Sequence, residues 1–142
     1  MKRYAVVVTG DRNAKPADWA VVITKAIGGA KPLDNELVVI HGAATGIDTI
    51  ASQVVRAAWP HVPVIPFPAN WELYRKIGNP NLAGPERNAE MLRVLDSFRA
   101  AGYDCRVLAF HDYLDNSKGT ANCIRQAHFF GFKVQTYTSR GK

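Results

Sequence analysis

Residues 4–13 read YAVVVTGDRN, an apolar run of strand length that ends in a glycine and three polar residues. Short Val-rich runs bounded by turn residues are typical of strands that are buried on both faces of a parallel sheet. Four more runs have this character: LVVIH (37–41), VPVIP (62–66), RVLAF (106–110) and KVQTY (133–137). The sequence therefore predicts five strands.

Helical periodicity fills the intervals between these strands. Apolar residues recur at spacings of three and four over 19–27, 47–58 and 91–98, and more weakly over 121–128. Strands that alternate with helices predict a mainly parallel sheet with right-handed crossovers. We expect a Rossmann-like three-layer α/β sandwich with strand order 3-2-1-4-5 and four flanking helices. Residues 1–142 should form a single domain.

Composition narrows the class of protein. The 142 residues are 47% hydrophobic and contain neither a membrane-length apolar run nor a signal-peptide pattern, so we expect a cytoplasmic protein without a membrane partner. A net charge of +6 favours an anionic partner, either a phosphate ligand or nucleic acid. The four histidines and two cysteines lack metal-ligand spacing, so no metal is expected, and Cys105 and Cys123 should be buried free thiols.

One connection, residues 67–84, is longer than the others. Such loops are usually lids or binding loops, but a surface excursion in which Trp71 and Tyr74 pack locally is an equal alternative. A short helix is expected near 71–77.

Ligands of an open parallel sheet bind at the carboxyl ends of the strands, where the strand order reverses. The turns after strands 1 and 2 should therefore border a crevice. Gly10 permits a tight turn, and Arg12 can give two hydrogen bonds to a phosphate. In the second turn, small residues such as Gly42 and Gly46 should let backbone amides approach an anion at the start of a helix. Asp48 is either a ligand contact or a favourable charge in that first helical turn.

Two later turns should reach the same edge. Pro85 suits the first position of the third predicted helix, which would place Arg87 and Asn88 near the crevice. Residues 115–120 (DNSKGT) open the fourth predicted helix and resemble a phosphate cradle, or else an ordinary capped helix start. Its candidate binding residues are Ser117, Lys118, Gly119 and Thr120. Neither a dinucleotide fingerprint nor a P-loop is present.

Five motifs, taken in order, resemble the SLOG superfamily, and specifically its YspA-type, YpsA-related branch of bacteria and phages: VTGDRN (8–13), HGAATGID (41–48), PANW (68–71), GPERNAEM (84–91), and AF (109–110) followed by SKGT (117–120). The resemblance implies a Rossmann-like fold, nucleotide or nucleotide-derived ligands and a homodimer. The candidates that it implies are Gly10, Arg12, Gly42, Gly46, Asp48, Arg87, Asn88, Gly119 and Thr120. Ala43 replaces a common second glycine of this branch, and Asp11 replaces a serine.

Two related families suggest rival functions. Cytokinin-activating phosphoribohydrolases carry the motif P-G-G-x-G-T-x-x-E, and Gly119 and Thr120 match its G-T pair. Cys123 occupies the position of the motif's glutamate, and a cysteine cannot replace the carboxylate in this reaction. The sequence leaves open whether Asp48 or Glu86 supplies a catalytic carboxylate by another mechanism. The DNA-processing protein A family shares residues 45–48 and binds single-stranded DNA. Nucleotide binding or sensing without a cofactor is the main hypothesis, and an N-glycosidic hydrolase and a single-stranded nucleic-acid binder are the alternatives.

Overall fold

Strands and helices alternate along the chain. The computed structural model describes residues 2–31 and 35–140. The elements are β1 (Arg3–Gly10), α1 (Pro16–Gly28), β2 (Glu36–His41), α2 (Ile47–Ala58), β3 (Val64–Pro66), α3 (Trp71–Lys76), α4 (Ala83–Ala100), β4 (Asp104–Phe110), α5 (Lys118–Phe130) and β5 (Lys133–Tyr137). Two 3-10 turns lie at Pro80–Leu82 and Leu114–Asn116.

The five strands form one parallel sheet in the order β3-β2-β1-β4-β5, which confirms the predicted topology. The central strand β1 pairs with β2 on one side and with β4 on the other, and Gly10 lies opposite Phe110 at its carboxyl end. Successive connections leave this point in opposite directions, so a crevice opens between the turns that follow β1 and β4.

Helices cover both faces of the sheet, which gives the predicted three layers. On one face, Trp19 and Ile23 of α1 and Ile47 of α2 pack with Val6 and other buried residues. On the other face, α4 and α5 pack against the alternate residues of β1, such as Val7. Within 2–31 and 35–140, none of the helices combines the length and apolarity that would be needed to cross a membrane.

The structure corrects three details. The third strand, Val64–Pro66, is shorter than 62–66. The connection over 67–84 contains a 3-10 turn besides α3, which confirms the short helix expected near 71–77. Helix α4 begins at Ala83, so Pro85 is its third residue and not its first. Proline is tolerated there because the amides of the first helical turn have no acceptor within the helix. Cys105 is only partly buried, with its Sγ 3.4 Å from the Leu95 carbonyl oxygen, whereas Cys123 is buried as predicted.

Candidate functional site

The carboxyl ends of the strands open into a crevice of three adjoining clefts, and Arg12 and Arg87 border all three. The first cleft, about 380 Å³, includes Lys118 and the start of α5. The second, about 340 Å³, lies between the turn after β2 and Trp71, and the third, about 840 Å³, lies between the starts of α4 and α5. A separate groove of about 490 Å³ beside Tyr137 contains none of the predicted site residues.

The turn after β1 is packed onto the start of α2 by close backbone contacts. The Asp11 carbonyl oxygen accepts a hydrogen bond from the Ile47 amide at 3.0 Å. A side chain at Gly10 would overlap Ile47 and the Phe110 carbonyl oxygen, and one at Gly46 would overlap the Asp11 carbonyl oxygen. Both glycines are therefore required by packing, whatever the crevice binds.

Arg12 is carried by this turn at the mouth of the crevice. Its side chain is exposed and, within the described ranges, forms no ion pair. The neighbouring carboxylate of Asp11 is engaged locally, since its Oδ1 accepts the Asn13 amide at 2.8 Å. Arg12 is thus a cation in the crevice that forms no ion pair among the described residues, although its charge acts against the burial that raises the pKa of the nearby Asp48.

Three backbone amides in the turn after β2 have acceptors within the protein. Asp48 Oδ2 accepts the amides of Gly42 (3.1 Å) and Ala44 (3.2 Å), and His41 Nδ1 accepts the amide of Ala43 (2.9 Å). The prediction that amides of this turn approach an anion is therefore wrong for these three, because each already has an acceptor in the chain. His41 is buried and holds the turn.

Ala43 has a φ of 55°, in the left-handed region that favours glycine. This is the position where the SLOG resemblance leads us to expect a second glycine. The backbone conformation that suits glycine is thus kept although the residue is alanine, at a steric cost of about 1–2 kcal/mol.

Asp48 is the buried acid of the crevice. Burial raises the pKa of Asp48 to about 6, against the opposing effects of the Ala44 amide, the Arg87 charge and the Gly42 amide. Oδ2 accepts both amide hydrogen bonds, and Oδ1 accepts none that the described residues donate. Because Asp48 also borders the first cleft, it places a group that titrates near neutral pH beside any ligand there.

Arg87 is fixed in place by two hydrogen bonds. It donates to the Gly42 carbonyl oxygen and, through Nε at 2.9 Å, to Asn88 Oδ1. A side chain at Gly42 would overlap the guanidinium, so glycine there makes room for Arg87. Burial lowers the pKa of Arg87, while the charge of Asp48 raises it.

Asn88 connects α4 to α5. It is buried, and its Nδ2 donates to Asn122 Oδ1 at 3.1 Å and to the Gly119 carbonyl oxygen at 3.3 Å. Because its Oδ1 also accepts Arg87, Asn88 positions the arginine and the start of α5.

The start of α5 offers free donors to the crevice. Ser117 caps the helix, since its Oγ accepts the Thr120 amide at 3.1 Å, which is the ordinary helix-capping role. The amides of Lys118 and Gly119 donate no hydrogen bond within the described chain. The positive end of the helix dipole adds to their attraction for an anion, and a side chain at Gly119 would meet no atom within 4 Å.

Trp71 and His111 are among the residues that border the crevice although the sequence did not assign them to it. Trp71 lies at the second and third clefts, and His111 lies at the first. The PANW motif was a signal for Trp71, but the long connection has no periodicity that would place it. His111 follows β4 directly, and its Nδ1 accepts the Tyr113 amide at 2.9 Å.

Comparisons of the chain with models of known families, with curated proteins and with solved structures found no match. In the part of the chain that the structure describes, no three His, Cys, Asp or Glu side chains are grouped as metal ligands. The crevice itself provides cationic side chains, two free helix-start amides and a half-exposed indole.

Proposed function

We propose that this chain is a binding or sensing domain for a nucleotide or nucleotide-derived phosphate ligand. The observation that carries the proposal is the first cleft, where Arg12 and the free amides of Lys118 and Gly119 lie together. A phosphate oxygen takes several N–H donors at once and is attracted by a guanidinium and by a helix start. The volume of each cleft suits a small molecule.

The motif resemblance supports the same function. Arg12, Arg87 and the SKGT segment (117–120) border one crevice although they lie far apart in the sequence. We therefore propose membership of the SLOG superfamily, in its YspA-type branch. The homodimer and the cytoplasmic location stay predictions.

Arg12→Ala is expected to weaken the binding of adenosine monophosphate roughly 10- to 150-fold, which corresponds to about 1.5–3 kcal/mol for hydrogen bonds to a charged group. The side chain makes no hydrogen bond within the described residues, so the melting temperature should not change. Isothermal titration calorimetry measures the affinity, and wild-type protein is also titrated with the guanosine, cytidine and uridine monophosphates.

Arg93→Ala is the matched control, since Arg93 is an exposed arginine of α4 outside the crevice and its loss changes the net charge equally. Equal losses for the two variants would mean that only net charge matters. If the wild type binds none of the four mononucleotides, nucleotide binding is wrong. Tight binding of a single-stranded oligonucleotide would then favour the nucleic-acid alternative.

We expect no release of adenine from adenosine monophosphate above background. Burial raises the pKa of Cys123 to about 12, so a neutral thiol occupies the position of the phosphoribohydrolase glutamate. Chromatography of the reaction mixture measures adenine. Efficient release that Asp48→Asn abolishes would instead identify Asp48 as an acid or base, a role that its pKa near 6 permits.

A further inference from the structure

Trp71 presents an aromatic surface to the crevice. It is the first residue of α3 and is 42% exposed. It borders the second and third clefts, in both cases together with Arg12 and Arg87. A large aromatic side chain is thus kept in contact with water beside two cations.

The surrounding backbone holds Trp71 in this position. Asn70 caps α3, since its Oδ1 accepts the Leu73 amide at 3.1 Å, and the Asn79 amide donates to the Tyr74 carbonyl oxygen at 2.8 Å after the helix ends. A Cβ built on Gly84 would lie 4.0 Å from Cη2 of the indole, so one edge of the ring lies beside the first turn of α4. The exposed remainder of the ring is open to a ligand.

Exposure alone does not distinguish Trp71 from its neighbours. Leu73, Ile77 and Leu82 are exposed by 46%, 57% and 44% in the same segment. None of these three lines any of the three clefts, whereas Trp71 lines two of them. The location of Trp71, rather than its exposure, therefore points to a ligand.

We propose that Trp71 is the stacking platform for the base of the bound nucleotide, which rests on the function proposed above. Every nucleobase has a π-face that stacks on an aromatic side chain, whatever its hydrogen-bonding edge. The second cleft shares Arg12, Ala44 and Arg87 with the first. A ligand whose base stacks on Trp71 thus passes Arg12 and places its phosphate at the start of α5. The ligand class is a base-bearing phosphate, and a sugar phosphate without a base lacks the contact with Trp71.

The test compares adenosine monophosphate with ribose 5-phosphate, which lacks the base. Trp71→Leu should weaken binding of adenosine monophosphate roughly 5- to 150-fold, the range for loss of one stacked base, and change ribose 5-phosphate binding by no more than about twofold. Trp71→Phe should restore most of the lost affinity, because it keeps an aromatic face. Leu73→Ala is the control on the same helix and should bind both ligands as the wild type does.

The outcomes separate this proposal from the one on which it rests. If Trp71→Leu binds both ligands like the wild type, the platform is wrong but nucleotide binding stands. If it loses both ligands equally, Trp71 only shapes the crevice and the platform is again wrong. If wild-type protein binds none of the four mononucleotides, both proposals are wrong.

Discussion

Replacing Gly46 with alanine is expected to lower the free energy of unfolding by about 3–5 kcal/mol. Two effects add. Gly46 has a φ of 74° and a ψ of −124°, a conformation that residues with a side chain rarely adopt. The new Cβ would also overlap the backbone of Asp11 and Arg12, and these atoms cannot move without displacing the turn after β1. Urea denaturation measures the change.

Gly119→Ala is the matched control for this substitution. Gly119 lies in the first turn of α5, and a Cβ there meets no atom within 4 Å. Because alanine favours the helix over glycine, we expect this variant to be more stable by about 0.5–1 kcal/mol. A loss below about 1 kcal/mol for Gly46→Ala would contradict the packing of the turn on α2.

The pH dependence of stability should change strongly when Asp48 becomes asparagine. The pKa of Asp48 is about 6 in the folded protein, whereas an aspartate in the unfolded chain has its ordinary pKa of 3.8, so folding favours the protonated form. The contribution of Asp48 to the free energy of unfolding is therefore at its maximum below about pH 4, and it is lost as the pH rises through 6. Wild-type protein should therefore lose about 2–3 kcal/mol from this group between pH 4 and pH 8.

Asp48→Asn keeps an oxygen that can accept the amides of Gly42 and Ala44 but carries no charge, so this loss should disappear. Urea unfolding of both proteins at several pH values from about 4 to 8 measures the difference. Glu90→Gln removes an exposed carboxylate of α4 and should keep the wild-type profile. Parallel profiles for the wild type and Asp48→Asn would show that the carboxyl does not titrate abnormally.

The topology could be predicted because a few general rules restrict it. Val-rich runs such as residues 4–9 mark strands buried on both faces, and the alternation with helices requires parallel neighbours. The start of α4 could not be fixed, because Pro85 is accepted at the third helical position as well as at the first. The path of 67–84 depends on tertiary contacts, so the position of Trp71 at the crevice was not predictable.

The location of the candidate residues at one edge of the sheet was predictable where it depends on topology alone. Arg12, Arg87 and Lys118 meet because turns that follow parallel strands share one edge of the sheet. The expectation that amides approach a bound anion failed for three amides of the turn after β2. Small residues indicate that backbone amides are accessible, but they do not show which group accepts the hydrogen bonds of these amides. Asp48 accepts two of these amides from the first turn of α2, a contact that only the folded chain shows.

The two arginines should contribute differently to the entropy of binding. Arg87 is held by Gly42 and Asn88, and Asn88 in turn by Asn122, so its guanidinium is already ordered before a ligand arrives. The exposed Arg12 has no such bonds within the described chain and must lose rotamer freedom on binding, at about 0.5–1.5 kcal/mol for one side chain. If the proposed anion binding is correct, Arg87 would be a preorganised contact, and Arg12 would adopt its bound conformation only when the anion is present.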